Sequence, residues 1–214
     1  GLWTFDSALP VDRRVTLGEG WTPLVDAPDW NAAFKLESLF PTGSFKDRGA
    51  AVMLSLADAL GVDRVLEDSS GNAGAAVATY AARAGIDAEI YVPADVKAAK
   101  LRAIERAGAD VVRVEGDRQA VTDACVDAVA DGIQITAPAR RGQILDAIED
   151  SGGDAVAVDE AATERHLERL HRSGFYTEPT CAVAPAALET LREAGDIGQE
   201  ENVVVPLTGS GLKT

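Results

Sequence analysis

The chain has 214 residues, 46% of them hydrophobic, which is enough for a sizeable core and permits one or two domains. Its 35 acidic residues against 20 basic ones, mostly arginine, give a net charge of −15, which argues against nucleic acid or an anionic membrane surface as a partner. No stretch approaches the apolar length of a membrane span and no charged-then-apolar leader opens the chain, so a cytoplasmic protein is expected. The acidic, lysine-poor balance resembles that of proteins from high-salt cytoplasm, so a halophilic character is expected too. Two cysteines, Cys125 and Cys181, cannot make a disulfide framework and read as small core residues.

In the first forty residues Gly18-Glu19-Gly20 and Pro23 punctuate loop and short strand, expected to wrap the edge of another domain. From Pro41 the pattern changes: Gly43 and Ser44 read as a turn and an N-cap, Asp47 brings negative charge into a first turn, and a helix is predicted over 45–60. Strands at 64–68, 88–92 and 110–114 then alternate with helices at 73–85, 95–107 and 117–128. Short, branched, apolar strands each followed by a helix imply a parallel sheet covered on both faces, with ligand loops at the carboxyl ends of its strands. Beyond 128 the pattern predicts helices at 141–150, 159–172 and 179–195 and strands at 155–158, 175–177 and 203–207. His166 and His171 lie in the charged run of the second of these helices; their five-residue spacing does not make a paired ligand face, and a solvated helix is expected.

Two stretches carry chemistry. Lys46, in Pro41-Thr42-Gly43-Ser44-Phe45-Lys46-Asp47-Arg48-Gly49, stands at a helix start. A lysine forms an imine only when part of it is neutral, which the positive N–H dipoles of a helix N-terminus favour. The competing reading is one more surface cation beside Asp47. The second stretch, Ser69-Ser70-Gly71-Asn72-Ala73-Gly74, is a small-residue loop between a strand and a helix, and its N–H groups and hydroxyls suit a carboxylate or phosphate. An ordinary capped turn would look the same. It is neither the Gly-x-Gly-x-x-Gly dinucleotide pattern nor a nucleotide P-loop.

Taken in order, Gly18-Glu19-Gly20-Trp21-Thr22-Pro23-Leu24, PTGSFKDRG, SSGNAG, Glu178-Pro179-Thr180 and Pro206-Leu207-Thr208-Gly209-Ser210-Gly211-Leu212-Lys213 resemble the fold-type II pyridoxal-phosphate enzymes and, within that group, the threonine synthases. The resemblance implies an α/β fold like that of the tryptophan synthase beta chain, with two open, twisted, mostly parallel sheets covered by helices. It implies a small domain over 44–128 and a larger one built from 1–43 plus 129–214. A homodimer and a small amino-acid substrate are compatible with it. Lys46 would hold pyridoxal phosphate as a Schiff base and then move protons at the substrate carbons. Asn72 would bond the ring oxygen, and Thr208 would meet the pyridine nitrogen. Phe45 would pack beside the ring, unless it is core. Ser69, Ser70, Gly71, Asn72 and Ala73 would take the substrate carboxylate. For a threonine synthase the substrate would be O-phosphohomoserine, and Lys100 is a candidate for its phosphate, with a solvated helix position as the alternative. SSGNAG departs from the threonine-rich loop of many threonine synthases, so a dehydratase or a cysteate synthase-like enzyme is the second reading, and a non-catalytic small-molecule-binding relative the third.

The resembled fold carries a large middle section with a glycine-rich loop for the cofactor phosphate. Neither Gly152-Gly153 nor Gly209-Ser210-Gly211 is a convincing substitute. The stretch Val126 to Gly132 reads as a junction between an early and a late part of the fold, so a central segment is expected to be absent, with a break in Cα spacing between Cys125 and Ile133.

Overall fold

A computed structural model describes residues 1–129, 141–153 and 155–213. Two strands lie within the first forty residues: β1 (Leu24–Ala27) and β2 (Ala32–Lys35) pair antiparallel across a turn in which Asn31 adopts the left-handed conformation (φ 46) that asparagine tolerates. α1 (Lys46–Ala59) follows, then β3 (Arg64–Glu67), α2 (Asn72–Ala84), β4 (Asp87–Pro93), α3 (Ala98–Arg106), β5 (Asp110–Val114) and α4 (Arg118–Val129). The second half supplies α5 (Arg141–Ser151), α6 (Glu160–Arg172), a 3-10 turn at Pro179–Ala182 running into α7 (Val183–Ala194), and β6 (Val204–Pro206).

These strands make two three-stranded sheets. One is wholly parallel in the order β3-β4-β5; the other has the order β1-β2-β6, with β2 and β6 parallel. Helices α1 and α2 pack together over the parallel sheet around Leu54, Tyr80, Ile90, Leu101 and Ile104, all fully buried, and Leu2, Trp3 and Val15 join this core from the chain's start. A second core beside the mixed sheet centres on Phe34, whose ring lies 5.0 Å from Phe175 edge-on and 5.1 Å from Trp30. Cys125 and Cys181 are both buried, as expected of small core residues.

Several expectations are corrected. The first forty residues do pack against the parallel-sheet core through Leu2, Trp3 and Val15, but they do more than wrap an edge: they also provide β2, the middle strand of the mixed sheet. Among the described residues 155–158 form no strand, and 175–177 contribute a single bridge, Thr177 to Ser210. Ser44 does not cap α1: the cap position is Phe45, without a side-chain hydrogen bond, and Ser44 bridges to Gly209 instead. His166 is buried rather than solvated, because it shares the inward face of α6 with Leu170 four residues on. The Trp30 indole donates to its Nδ1 at 3.4 Å, which leaves Nε2 to carry the proton toward Glu189 at 3.1 Å. The expected break between Cys125 and Ile133 falls partly outside the described residues; α4 continues through Val129.

Among the described residues no helix is long and apolar enough to cross a membrane. Ion pairs there engage a minority of the chain's carboxylates. Mutual repulsion should therefore destabilise the fold at low ionic strength, since screening acts over about 10 Å at 0.1 M salt and about 3 Å at 1 M. Melting temperature is expected to rise with salt, by roughly 2–4 °C for each kcal/mol recovered. Melting curves that coincide in dilute buffer and molar salt would remove this expectation.

Candidate functional site

The site lies between the carboxyl end of β3 and the segment that follows β6, and three segments build it. The first is the turn ahead of α1. Gly43 takes φ 78, and the turn is stitched to the chain's end by hydrogen bonds from Phe45 N to Thr208 O (3.0 Å) and from Ser210 N to Gly43 O (3.0 Å). From below, the buried Asp47 accepts from Thr42 N at 2.9 Å, and the Tyr80 hydroxyl spans Asp47 (3.4 Å) and Glu19 (3.0 Å). Burial, then the charges of Asp47 and Glu19, push the Tyr80 phenol up, so it keeps its proton and donates. Burial also pushes Glu19 up, but hydrogen bonds from Leu17 N, Trp3 and Thr16 outweigh it and hold the carboxyl below its usual range. Arg48 clamps Glu37 with two bonds of 2.7 and 2.9 Å. Lys46 thus opens a helix whose first turn is fixed on several sides.

The second segment is the Ser69–Gly74 loop, at the carboxyl end of β3 and the start of α2, as the strand–helix alternation implies. Gly71 N donates to Ser69 Oγ at 3.2 Å. Gly74 has no room for a side chain: a Cβ there would overlap the Ser69 carbonyl oxygen.

The third segment is Thr177–Cys181 with Thr208–Gly211. Glu178 N donates to Gly209 O at 3.2 Å, and Gly209 N donates to the Cys181 sulfur at 3.0 Å. The same sulfur lies 3.4 Å from Thr208 Oγ1.

Between these segments opens a cavity of about 500 Å³ that brings together Phe45, Lys46, Ser69, Asn72, Ala73 and Thr208. A neighbouring cleft of about 710 Å³ holds Ser70, Gly71, Asn72 and Lys100. Both volumes fall in the range of small-ligand sites, about 300–1,000 Å³. Asn72 is common to the two. Lys100 therefore faces the adjoining cleft rather than the Lys46 cavity, and Arg102 and Arg106 of the same helix line that cleft with it. None of these three cations makes an ion pair among the described residues.

Other residues of the site were not legible as such. Glu178 and Thr180 line both spaces, and Glu67 and Arg118 line the Lys46 cavity. Burial, then the adjacent Asp68, hold the Glu67 carboxyl above its usual range, against the pull of Arg118 and Lys46. Glu67 ends β3, and a carboxyl at the carboxyl end of a parallel strand was the available signal. Chemically, the Lys46 cavity offers an amine nucleophile, an amide donor, hydroxyls at Ser69, Thr180 and Thr208, and the apolar faces of Phe45 and Ala73. Ser44 Oγ, buried next to this turn, has no hydrogen-bond partner among the described residues. This donor set fits the amine-reactive carbonyl, ring oxygen and ring nitrogen of an aldehyde cofactor of the pyridoxal type.

A family model described as "Pyridoxal-phosphate dependent enzyme" matches residues 15–131 and 118–209. The chain is 40% identical over 126 residues to the threonine synthase of Synechocystis sp., covering 53% of this chain and 33% of that protein. It is 41% identical over 110 residues to the threonine synthase of Mycobacterium leprae, covering 48% and 31%. With the threonine synthase of Methanocaldococcus jannaschii the identity is 25% over 326 aligned positions, covering all of this chain and 80% of that protein. The stretches of this chain that match the first two relatives thus span about a third of those proteins' length. Solved structures of similar fold include a hydrogen sulfide-producing enzyme from Fusobacterium nucleatum (TM-score 0.71, 16% identity, 91% of this chain and 95% of that one). Maize serine racemase is similar as well (TM-score 0.67, 17% identity, 89% and 88%).

Proposed function

Because the chain belongs to the pyridoxal-phosphate dependent enzyme family, we propose that it is a carbon–oxygen lyase of the threonine synthase type, acting on O-phosphohomoserine and water to give threonine and phosphate. Its fold is that of the fold-type II members. One observation carries the reading: in a chain 40% identical over 126 residues to a threonine synthase, segments far apart in sequence bring Lys46, Asn72 and Thr208 to one cavity.

Pyridoxal phosphate, when bound, supplies the electron sink for charge developing at the substrate carbons. Lys46 would hold it through its amine, Asn72 would donate to its ring oxygen, Thr208 would meet its ring nitrogen and Phe45 would flank the ring. Once released, the Lys46 amine would take and return protons at the substrate carbons. Ser69, Ser70, Gly71 and Ala73 would grip the substrate carboxylate at the N-terminus of α2. Lys100, with Arg102 and Arg106 beside it, would hold the phosphate that departs from the γ carbon as water adds at the β carbon. The division into a small lobe of 44–128 and a larger one of 1–43 plus 129–214 belongs to this reading. So does a missing central segment, which is supported by an alignment of 326 positions against 214 residues and by two family matches that overlap at 118–131.

Purified protein should develop a visible Schiff-base band with pyridoxal phosphate and release phosphate from O-phosphohomoserine. Lys100→Ala should raise KM for that substrate about 10-fold. Turnover of serine or threonine instead would move the assignment to a dehydratase, and no band at all would leave a non-catalytic relative.

A further inference from the structure

Glu178 belongs to neither of the roles above, yet its carboxylate stands on the boundary between the Lys46 cavity and the α3 cleft. Both of its oxygens accept from Asn72 Nδ2, at 2.9 and 3.0 Å, across 106 residues of chain and from one sheet's lobe to the other's. The carboxylate is itself built into place. Thr180 Oγ1 donates to Oε1 at 2.9 Å, and the Glu178 backbone bonds to Gly209 O on one side and Cys181 N on the other. Gly209 makes room for it, since a Cβ there would overlap the carboxylate.

An asparagine amide can usually turn either end toward a partner. A carboxylate only accepts, so opposite Glu178 the amide must present its NH2 and turn its oxygen away. The NH2 carries two hydrogens, of which one suffices for Glu178, and pairing with a negative charge polarises the group. We propose that Glu178 is a positioning residue that fixes the Asn72 amide with its NH2 edge toward the site. This rests on the reading that Asn72 donates to the cofactor's ring oxygen. Glu178 does its work through Asn72 and needs no contact with the cofactor of its own.

The experiment uses the full chain with pyridoxal phosphate as the probe and a double-mutant cycle on Glu178→Ala and Asn72→Ala. Affinity is read from the visible band. In cofactor-free protein labelled with 15N, the Asn72 side-chain NH2 resonance, identified by its loss in Asn72→Ala, reports the contact without any activity. Glu178→Ala is expected to weaken binding about 10-fold, to shift the Asn72 resonance, and to add nothing once Asn72 is alanine. Gly209→Ala, which displaces the carboxylate without removing its charge, should reproduce both effects. Glu178→Gln, which retains an acceptor, should restore most of the affinity, and it and Gly209→Ala carry the test if Glu178→Ala does not fold. Losses that multiply between the two alanine variants, or binding unchanged in Glu178→Ala, would overturn the proposal alone. Normal binding by Asn72→Ala would overturn the reading of Asn72 and the proposal with it, even where the resonance still shifts.

Discussion

Lys46→Ala is expected to abolish the borohydride-reducible cofactor adduct and to lower turnover by at least about 10²–10⁴-fold, the usual contribution of a positioned acid–base group. Lys46 opens α1 with its Nζ 4.9 Å from the centre of the Phe45 ring, and among the described residues it makes no ion pair that would tie up the amine. The side chain is exposed at the cavity wall, and alanine is a strong helix former, so the fold should change by no more than about 0.5 kcal/mol. Chemistry and folding are thereby separated: the variant should melt like the parent and fail to form the adduct. Intact mass after reduction tests this, and an adduct persisting on any other lysine would sink the assignment.

Much of the site was legible because its chemistry clusters in short motifs. PTGSFKDRG and SSGNAG each place their cavity-lining residues within one turn and a helix start, where local sequence dictates local structure. The parallel β3-β4-β5 sheet was legible for a related reason, since branched apolar runs alternating with helical ones leave few other arrangements. What was missed is non-local. β2 reads Ala-Ala-Phe-Lys, weak as a strand on its own, and is held by β6 some 170 residues later through pairs such as Phe34 with Val205. The expected strand at 155–158 fails in the opposite sense: an apolar run is not a strand until a neighbour pairs with it. His166 shows the same override, because a charged run hid its four-residue spacing from Leu170. Glu178 was visible only as part of a resembling segment; its partner Asn72 lies 106 residues away, so no pattern within either stretch could show the bond.

The two helical glycines that follow Lys46 and Asn72 make a sharp contrast, and Gly74→Ala carries the second large expected effect. Glycine inside a helix ordinarily costs about 1 kcal/mol relative to alanine, so replacing it should help. At Gly49 of α1 it should: φ is not positive and nothing lies within 4 Å of where a Cβ would stand, so Gly49→Ala is expected to stabilise by about 0.4–1 kcal/mol. At Gly74 the sign reverses. A Cβ would overlap the Ser69 carbonyl oxygen and come within 3.1 Å of Ile90 Cγ2. Ile90 is fully buried on β4 and cannot give way, and the Ser69 oxygen belongs to backbone. Relief is open only through displacement of the Ser69–Gly71 loop, which costs about 1–3 kcal/mol as overpacking and moves the groups proposed to grip the substrate carboxylate. At roughly 2–4 °C per kcal/mol, melting should fall by about 2–12 °C, with a rise in substrate KM alongside. Melting curves of the two variants beside the parent check both signs at once; a Gly74→Ala protein as stable as the parent, with unaltered KM, would show that the loop does not depend on this close approach.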